Sequence, residues 1–129
     1  MSYFFTGMIV GVILLQTAIF TPTLFKVLNE ESAGKLIRAL FPKFFLLLSM
    51  LGVCSLLAAL QNRATSWQLG IALISISLPL ICRALIPRTN HARDTGDEKT
   101  FDRLHRVSVM LTVTVFIGNL ALPWLPVSL

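Results

Sequence analysis

The amino-acid sequence predicts an all-α fold, an integral membrane four-helix bundle, and three observations predict it. Charge is scarce: 13% of the 129 residues are charged and 55% are hydrophobic, whereas soluble domains average about 25% charged. Charge is also segregated. Residues 1–25, 44–62, 64–82 and 107–129 contain no Asp, Glu, Lys or Arg. Each stretch approximates the ~20 apolar residues that a helix needs to cross a hydrocarbon core of ~30 Å. Finally, ten of the eleven Lys and Arg lie in two segments, 26–43 and 83–106, and the eleventh is Arg63. A soluble globular domain and an intrinsically disordered chain are both excluded by this pattern. A single four-span domain over residues 1–129 is expected.

The first span is expected over about residues 3–25, with Pro22 kinking or ending it. Met1-Ser2-Tyr3 offers no basic leader and no small-x-small cleavage site follows, so the segment should persist as a span. Gly7 and Gly11 form a Gly-x-x-x-Gly pair that admits close helix approach. In segment 26–43, Asn29 is placed to cap a helix, with Glu30 and Glu31 in its first turn and Lys35 and Arg38 beyond. Acid first and base later suits the helix dipole. This predicts a short amphipathic interfacial helix between spans one and two.

The second span is expected over about 41–60 and the third over about 67–86. A polar turn, Gln61-Asn62-Arg63-Ala64-Thr65-Ser66, separates them. Pro79 lies inside the third span, and a neighbouring helix or a small hydroxyl must satisfy the carbonyl that it frees, with Ser75 four residues earlier. Residues 87–103 form the longest polar segment and read as a loop. Asp97 is placed to cap the last helix, whose span is expected over about 104–122, before Pro123. Cys54 and Cys82 should lie at different depths, with no disulfide between them.

Four spans place both basic segments on one side, ten cations against one. The positive-inside rule puts that side in the cytoplasm and both termini outside. Tyr3, Trp67 and Trp124 then form an aromatic belt at the outer interface. A bacterial inner membrane is the expected location. The net charge of +5 and pI of about 9.9 would suggest nucleic acid in a soluble domain. Here they are a topology signal, and no nucleic-acid partner is expected.

Polar side chains within spans are costly and mark packing or function. His105, Ser108, Thr112 and Asn119 recur on one face of the last span. Gln68, Ser75, Pro79 and Cys82 do so on the third, and Ser49, Gly52 and Ala59 give the second a small-residue face. Gln16 lies deep in the first. Arg83, His91, Arg103, His105 and Arg106 form a basic cluster at the inner interface. It suits snorkelling to lipid phosphates, or a site where Arg holds a carboxylate or phosphate.

The candidate ligand-binding residues are therefore Arg83, Asn90, Arg93, Asp94, His105 and Arg106 at the rim, with Ser108 and Thr112 beneath. Phe41 and Pro42 would close the neighbouring end. Arg93–Asp94 and Asp102–Arg106 pairs are expected to order the loop. Phosphate loops, nucleophile elbows, Cys-x-x-Cys pairs and EF-hand spacing are all missing from the sequence. His91 and His105 match no compact zinc spacing.

Three blocks carry a family resemblance: Glu31-Ser32-Ala33-Gly34-Lys35 leading to Leu40-Phe41-Pro42-Lys43-Phe44-Phe45; Ile86-Pro87-Arg88-Thr89-Asn90 leading to Ala92-Arg93-Asp94; and Phe101-Asp102-Arg103-Leu104-His105-Arg106-Val107-Ser108-Val109. Together they resemble the small four-span proteins of the domain-of-unknown-function 4149 family, similar to the transmembrane-protein-205 group. The resemblance implies a four-helix membrane bundle and no established reaction. A more distant likeness to copper-resistance-D-type proteins and membrane oxidases of haem synthesis implies haem or copper as groups to test.

The expected function is non-enzymatic: a polytopic membrane protein acting through partner, lipid or minor transport contacts, with anionic lipid at the cytoplasmic rim. One alternative is a haem- or metal-binding redox protein with His105 as ligand. Another is a small-solute or ion transporter working as a homo-oligomer, because four spans enclose little volume.

Overall fold

The computed structural model describes residues 2–126, all four expected spans among them. The first crossing is built in three parts. Helix α1 (Ser2–Leu14) widens into a π-helical stretch (Leu15–Phe20) and continues as α2 (Thr21–Val27). Pro22 explains the widening. It has no N–H, and its ring crowds the carbonyl four residues back. Stretching the local bond to five residues, Thr21 N–H to Gln16 O, carries the helix past the proline. Buried Gln16 fills the wider turn, its Nε2 donating to Thr21 Oγ1 at 3.1 Å. Pro22 therefore does not end the span, which runs over Tyr3–Val27.

Helix α3 (Glu30–Gln61) corrects the sequence reading. The expected interfacial helix is not a separate element; one 32-residue helix runs through Pro42 into the membrane segment. Asn29 does cap it, Oδ1 accepting from the Ser32 N–H at 2.8 Å. The helix survives Pro42 because the carbonyl it frees belongs to exposed Arg38, in the water-exposed part of the helix, where solvent can donate to it. Buried Ala33, Phe44, Phe45 and Leu48 also keep one continuous packed face across the proline. At ~1.5 Å per residue this helix is ~48 Å long, so its first turns stand clear of a hydrocarbon core.

Helix α4 (Ser66–Asp94) begins with a capping box in which Thr65 Oγ1 accepts from Gln68 N–H and Gln68 Oε1 accepts from Thr65 N–H. Here too an expected loop is helix. Residues 87–94 continue α4, and the connection to α5 (Glu98–Ala121) is only residues 95–97. Gly96, at φ +75°, supplies the left-handed residue that so tight a reversal needs. Asp97 caps α5, its Oδ1 accepting from Thr100 N–H at 3.2 Å. Leu122–Trp124 close the chain's last crossing as a 3₁₀ turn at Pro123.

The crossings form a ring in which α1 packs on α3 and α5, α3 on α4, and α4 on α5. Small residues bring α3 and α4 together: Ser49, Gly52, Ser55 and Ala59 are buried on α3, and Gly52 meets the backbone of α4 at Ser75 and Ile76. A Cβ on Gly52 would lie 2.8 Å from the backbone C and O of Ser75. That carbonyl is the one Pro79 leaves without an N–H partner, so the backbone of α3 covers it. The next carbonyl, Ile76 O, accepts from Ser49 Oγ at 3.0 Å. The Ser75 hydroxyl does not serve the freed carbonyl; Ser75 Oγ donates to Ile71 O.

Toward the polar end, large side chains replace small ones. Phe44 and Phe45, with Leu48, Ile9, Ile13, Cys82 and Val115, make the core, and Phe41 packs against it. Phe41 stacks on Phe45 with ring centroids 5.8 Å apart and meets Phe44 edge-on. Cys54 and Cys82 are free thiols, as expected. Tyr3, Trp67 and Trp124 are exposed and share the end of the bundle away from the 95–97 turn.

Candidate functional site

The polar end is assembled from three helical extensions: the start of α3, the end of α4 and the start of α5. Because α4 overshoots its apolar stretch as helix, Arg93 and Asp94 have fixed positions beside α3. Arg38 donates through both guanidinium nitrogens to the two carboxylate oxygens of Asp94, at 3.1 and 2.5 Å. The hydrogen bond from Arg38 holds the Asp94 carboxyl below its ordinary value, and Asp94 in turn raises the Arg38 guanidinium. Arg93 lies 3.8 Å from Glu30 and sits over the Phe101 ring at 5.1 Å. Phe101 stacks on His105 with centroids 5.8 Å apart and planes 5° from parallel. A chain of contacts therefore runs Glu30–Arg93–Phe101–His105 across all three extensions. Both acid–base links are exposed, so they set register and are screened by salt.

The expected loop pairs are corrected by this arrangement. Arg93 and Asp94 pair with α3 instead of ordering a loop, and Asp102 and Arg106 form no salt bridge. The cause is that residues 87–94 are helix, which turns consecutive residues onto different faces. Glu30, Arg38 and Phe101 were not among the candidates. A signal for them existed: two segments confined to one side of the membrane carry opposite charges that a rigid bundle can bring together.

The remaining candidates do not converge on one cavity. Asn90, Ser108 and Thr112 are half-buried, and Arg83, His105 and Arg106 are exposed. Ser108 O accepts from Thr112 Oγ1 at 2.8 Å and from Cys82 Sγ at 3.7 Å, so these groups join α4 to α5 as packing contacts. Deeper, Asn119 Nδ2 donates to Ser75 Oγ and to Val115 O, both at 2.8 Å.

Two grooves open at the polar end. One, lined by Glu30, Glu31, Lys35, Arg38 and Arg93, has its cations matched by carboxylates; Lys35 also pairs with Glu31 at 3.3 Å. The other lies between α4 and α5 and includes Arg88, His91, Asp97, Thr100 and Arg103. Hydrogen bonds from Thr100, with the nearby charge of Arg103 adding to them, hold Asp97 below the usual carboxylate range, so it stays ionised at the helix start. Arg83, Arg88, Lys99, Arg103 and Arg106 are exposed, and none forms a salt bridge with a described residue.

His105 does not suit a haem. A porphyrin needs a slot that covers its faces, whereas His105 stands on the outer flank with one ring face taken by Phe101. Among the described residues, no three His, Cys, Asp or Glu side chains come together to hold a metal ion.

No curated protein and no solved structure matches the chain. A family model described as a domain of unknown function, DUF4149, matches residues 4–98, which covers α1 to the start of α5 and leaves the block at 101–109 outside the matched range. The match takes in the ion-paired extensions of α3 and α4, and the chain belongs to the DUF4149 family.

Proposed function

We propose that this is a non-enzymatic, multi-pass protein of a bacterial inner membrane, with its polar end in the cytoplasm, that engages the anionic headgroups of the inner leaflet. One observation carries the reading. The α4–α5 flank presents five exposed cations that form no salt bridge with a described residue, next to helices whose outward side chains are apolar. Exposed Leu80, Ile81, Val107 and Met110 stand on the membrane side of those cations. Basic residues at that level attract anionic lipid by about 1 kcal/mol each. The count of ten Lys and Arg on this side against Arg63 on the other supports the orientation.

Lys35, Arg38 and Arg93 on the α3 side are ion-paired within the molecule, so the attraction is concentrated on the α4–α5 flank, with Lys26 and Lys43 the other exposed cations at the polar end that form no salt bridge with a described residue. The test is lipid analysis of protein purified in mild detergent. Phosphatidylglycerol and cardiolipin should be enriched over phosphatidylethanolamine relative to the source membrane, and high salt should erode the enrichment. Lipid retained in the membrane's own proportions would overturn the proposal.

A further inference from the structure

We infer that the groove between the end of α4 and the start of α5 is a specific seat for the phosphate of an anionic phospholipid, a site that deepens the lipid reading above and rests on it. The groove is an open one of about 550 Å³, within the size range of small-ligand sites. Its chemistry is graded along its length. Arg88 and His91 lie three residues apart on α4, and Thr100 and Arg103 lie three apart on α5. Residues at that spacing share a helix face, so the two pairs face each other across the antiparallel hairpin. Two guanidinium groups, a hydroxyl and an imidazole N–H thus converge on one opening. Guanidinium forks match the oxygens of a phosphate with two parallel hydrogen bonds.

The lining contains one carboxylate, Asp97, and it already accepts from the Thr100 N–H at the helix start. Arg88 and Arg103 outnumber that carboxylate and neither forms a salt bridge with a described residue, whereas in the α3 groove Lys35 pairs with Glu31, Arg38 with Asp94 and Arg93 with Glu30.

The choice of lipid over a soluble phosphate follows from the other end of the groove. Pro87 and Leu104 line it, and these are the residues next to the apolar stretches of α4 and α5. An occupant would place its phosphate on Arg88 and Arg103 and its glycerol and acyl chains past Pro87 and Leu104 into the bilayer. A soluble phosphate would leave that apolar end uncovered.

The test uses the full chain in nanodiscs of phosphatidylcholine doped with phosphatidylglycerol, with lipid binding read by native mass spectrometry. Three double variants are compared with the parent: Arg88→Gln/Arg103→Gln in the groove, Arg83→Gln/Arg106→Gln on the same flank, and Lys26→Gln/Lys43→Gln elsewhere at the polar end. All six side chains are exposed, and helical circular dichroism checks each fold. Two headgroup-level cations at about 1 kcal/mol each account for a loss of roughly 30-fold, so the flank variant and the Lys variant should lose phosphatidylglycerol affinity by no more than about that, and the groove variant by well over it, roughly 100-fold or more. Excess inorganic phosphate should not displace the lipid.

Equal losses in the groove and flank variants would overturn the seat while leaving the lipid-engaging flank intact, as would unchanged binding in the groove variant. No phosphatidylglycerol preference in the parent would remove both readings. Displacement by inorganic phosphate would overturn the lipid assignment in favour of a soluble phosphate ligand.

Discussion

Adding one methyl group at Gly52 should destabilise the bundle more than removing several polar contacts elsewhere. A Cβ there would sit 2.8 Å from the C and O of Ser75 and 2.9 Å from the N of Ile76. All three are backbone atoms of α4, so no side chain can swing aside; α3 and α4 must separate. Overpacking of this kind costs about 1–3 kcal/mol. Separation also lengthens the Ser49–Ile76 hydrogen bond between the two helices, worth about 0.6 kcal/mol in a membrane helix bundle. Against this, alanine gains up to about 1 kcal/mol of helix propensity over glycine. The net expectation for Gly52→Ala is a loss of about 1–3 kcal/mol, larger for Gly52→Leu. The assay is equilibrium unfolding by SDS in mixed micelles, followed by circular dichroism. Gly11→Ala is the internal comparison, because nothing lies within 4 Å of its added Cβ; it should be neutral or stabilising. If Gly52→Ala matches Gly11→Ala, the close approach of α3 and α4 at Pro79 is refuted.

Three further outcomes follow from the same geometry. Asn119→Ala and Ser75→Ala should couple in a double-mutant cycle by about 0.6–1.7 kcal/mol, since Asn119 Nδ2 donates directly to Ser75 Oγ; additive losses would show the bond is not formed. Asp94 has its carboxyl lowered by Arg38, so its contribution is present above the ordinary carboxylate value near 3.8 and is lost as pH falls through the lower folded value. Amide protection of residues 87–94 should fall in that acid range, and Arg38→Gln should abolish the pH response; an unchanged response in the variant would contradict the pairing. A small thiol reagent should modify half-buried Cys54 faster than buried Cys82, and the reverse order would contradict the packing of α4 on α5.

The spans, the Asn29 and Asp97 caps and the free cysteines were legible in sequence because each rests on local chemistry: an uninterrupted apolar run, a side-chain oxygen before a helix, a depth difference. The polar end was harder, for two reasons. Polar composition between spans reads as loop, yet polarity on a helix outside the bilayer is equally permitted, and α4 continues to Asp94. Pro42 and Pro22 read as boundaries, but one lies where water can serve the freed carbonyl and the other is passed by a π-helical turn. With helix in place of loop, the partners of Arg93 and Asp94 changed from each other's neighbourhood to Glu30 and Arg38. Sequence spacing alone carries no information about contacts 56 residues apart. Asn119 was visible as a polar residue on the last span, while its bond to Ser75 needed the crossing geometry.

The proposed function places the ion-paired and cationic end of the bundle in the cytoplasm. Cysteine accessibility tests it most directly. In a chain with Cys54 and Cys82 replaced by serine, Arg63→Cys and Lys99→Cys place single thiols at exposed positions of opposite ends. A membrane-impermeant maleimide added to intact spheroplasts should label the position-63 thiol at once and the position-99 thiol only after lysis. Labelling of the position-99 thiol in intact cells, with position 63 protected, would contradict the account.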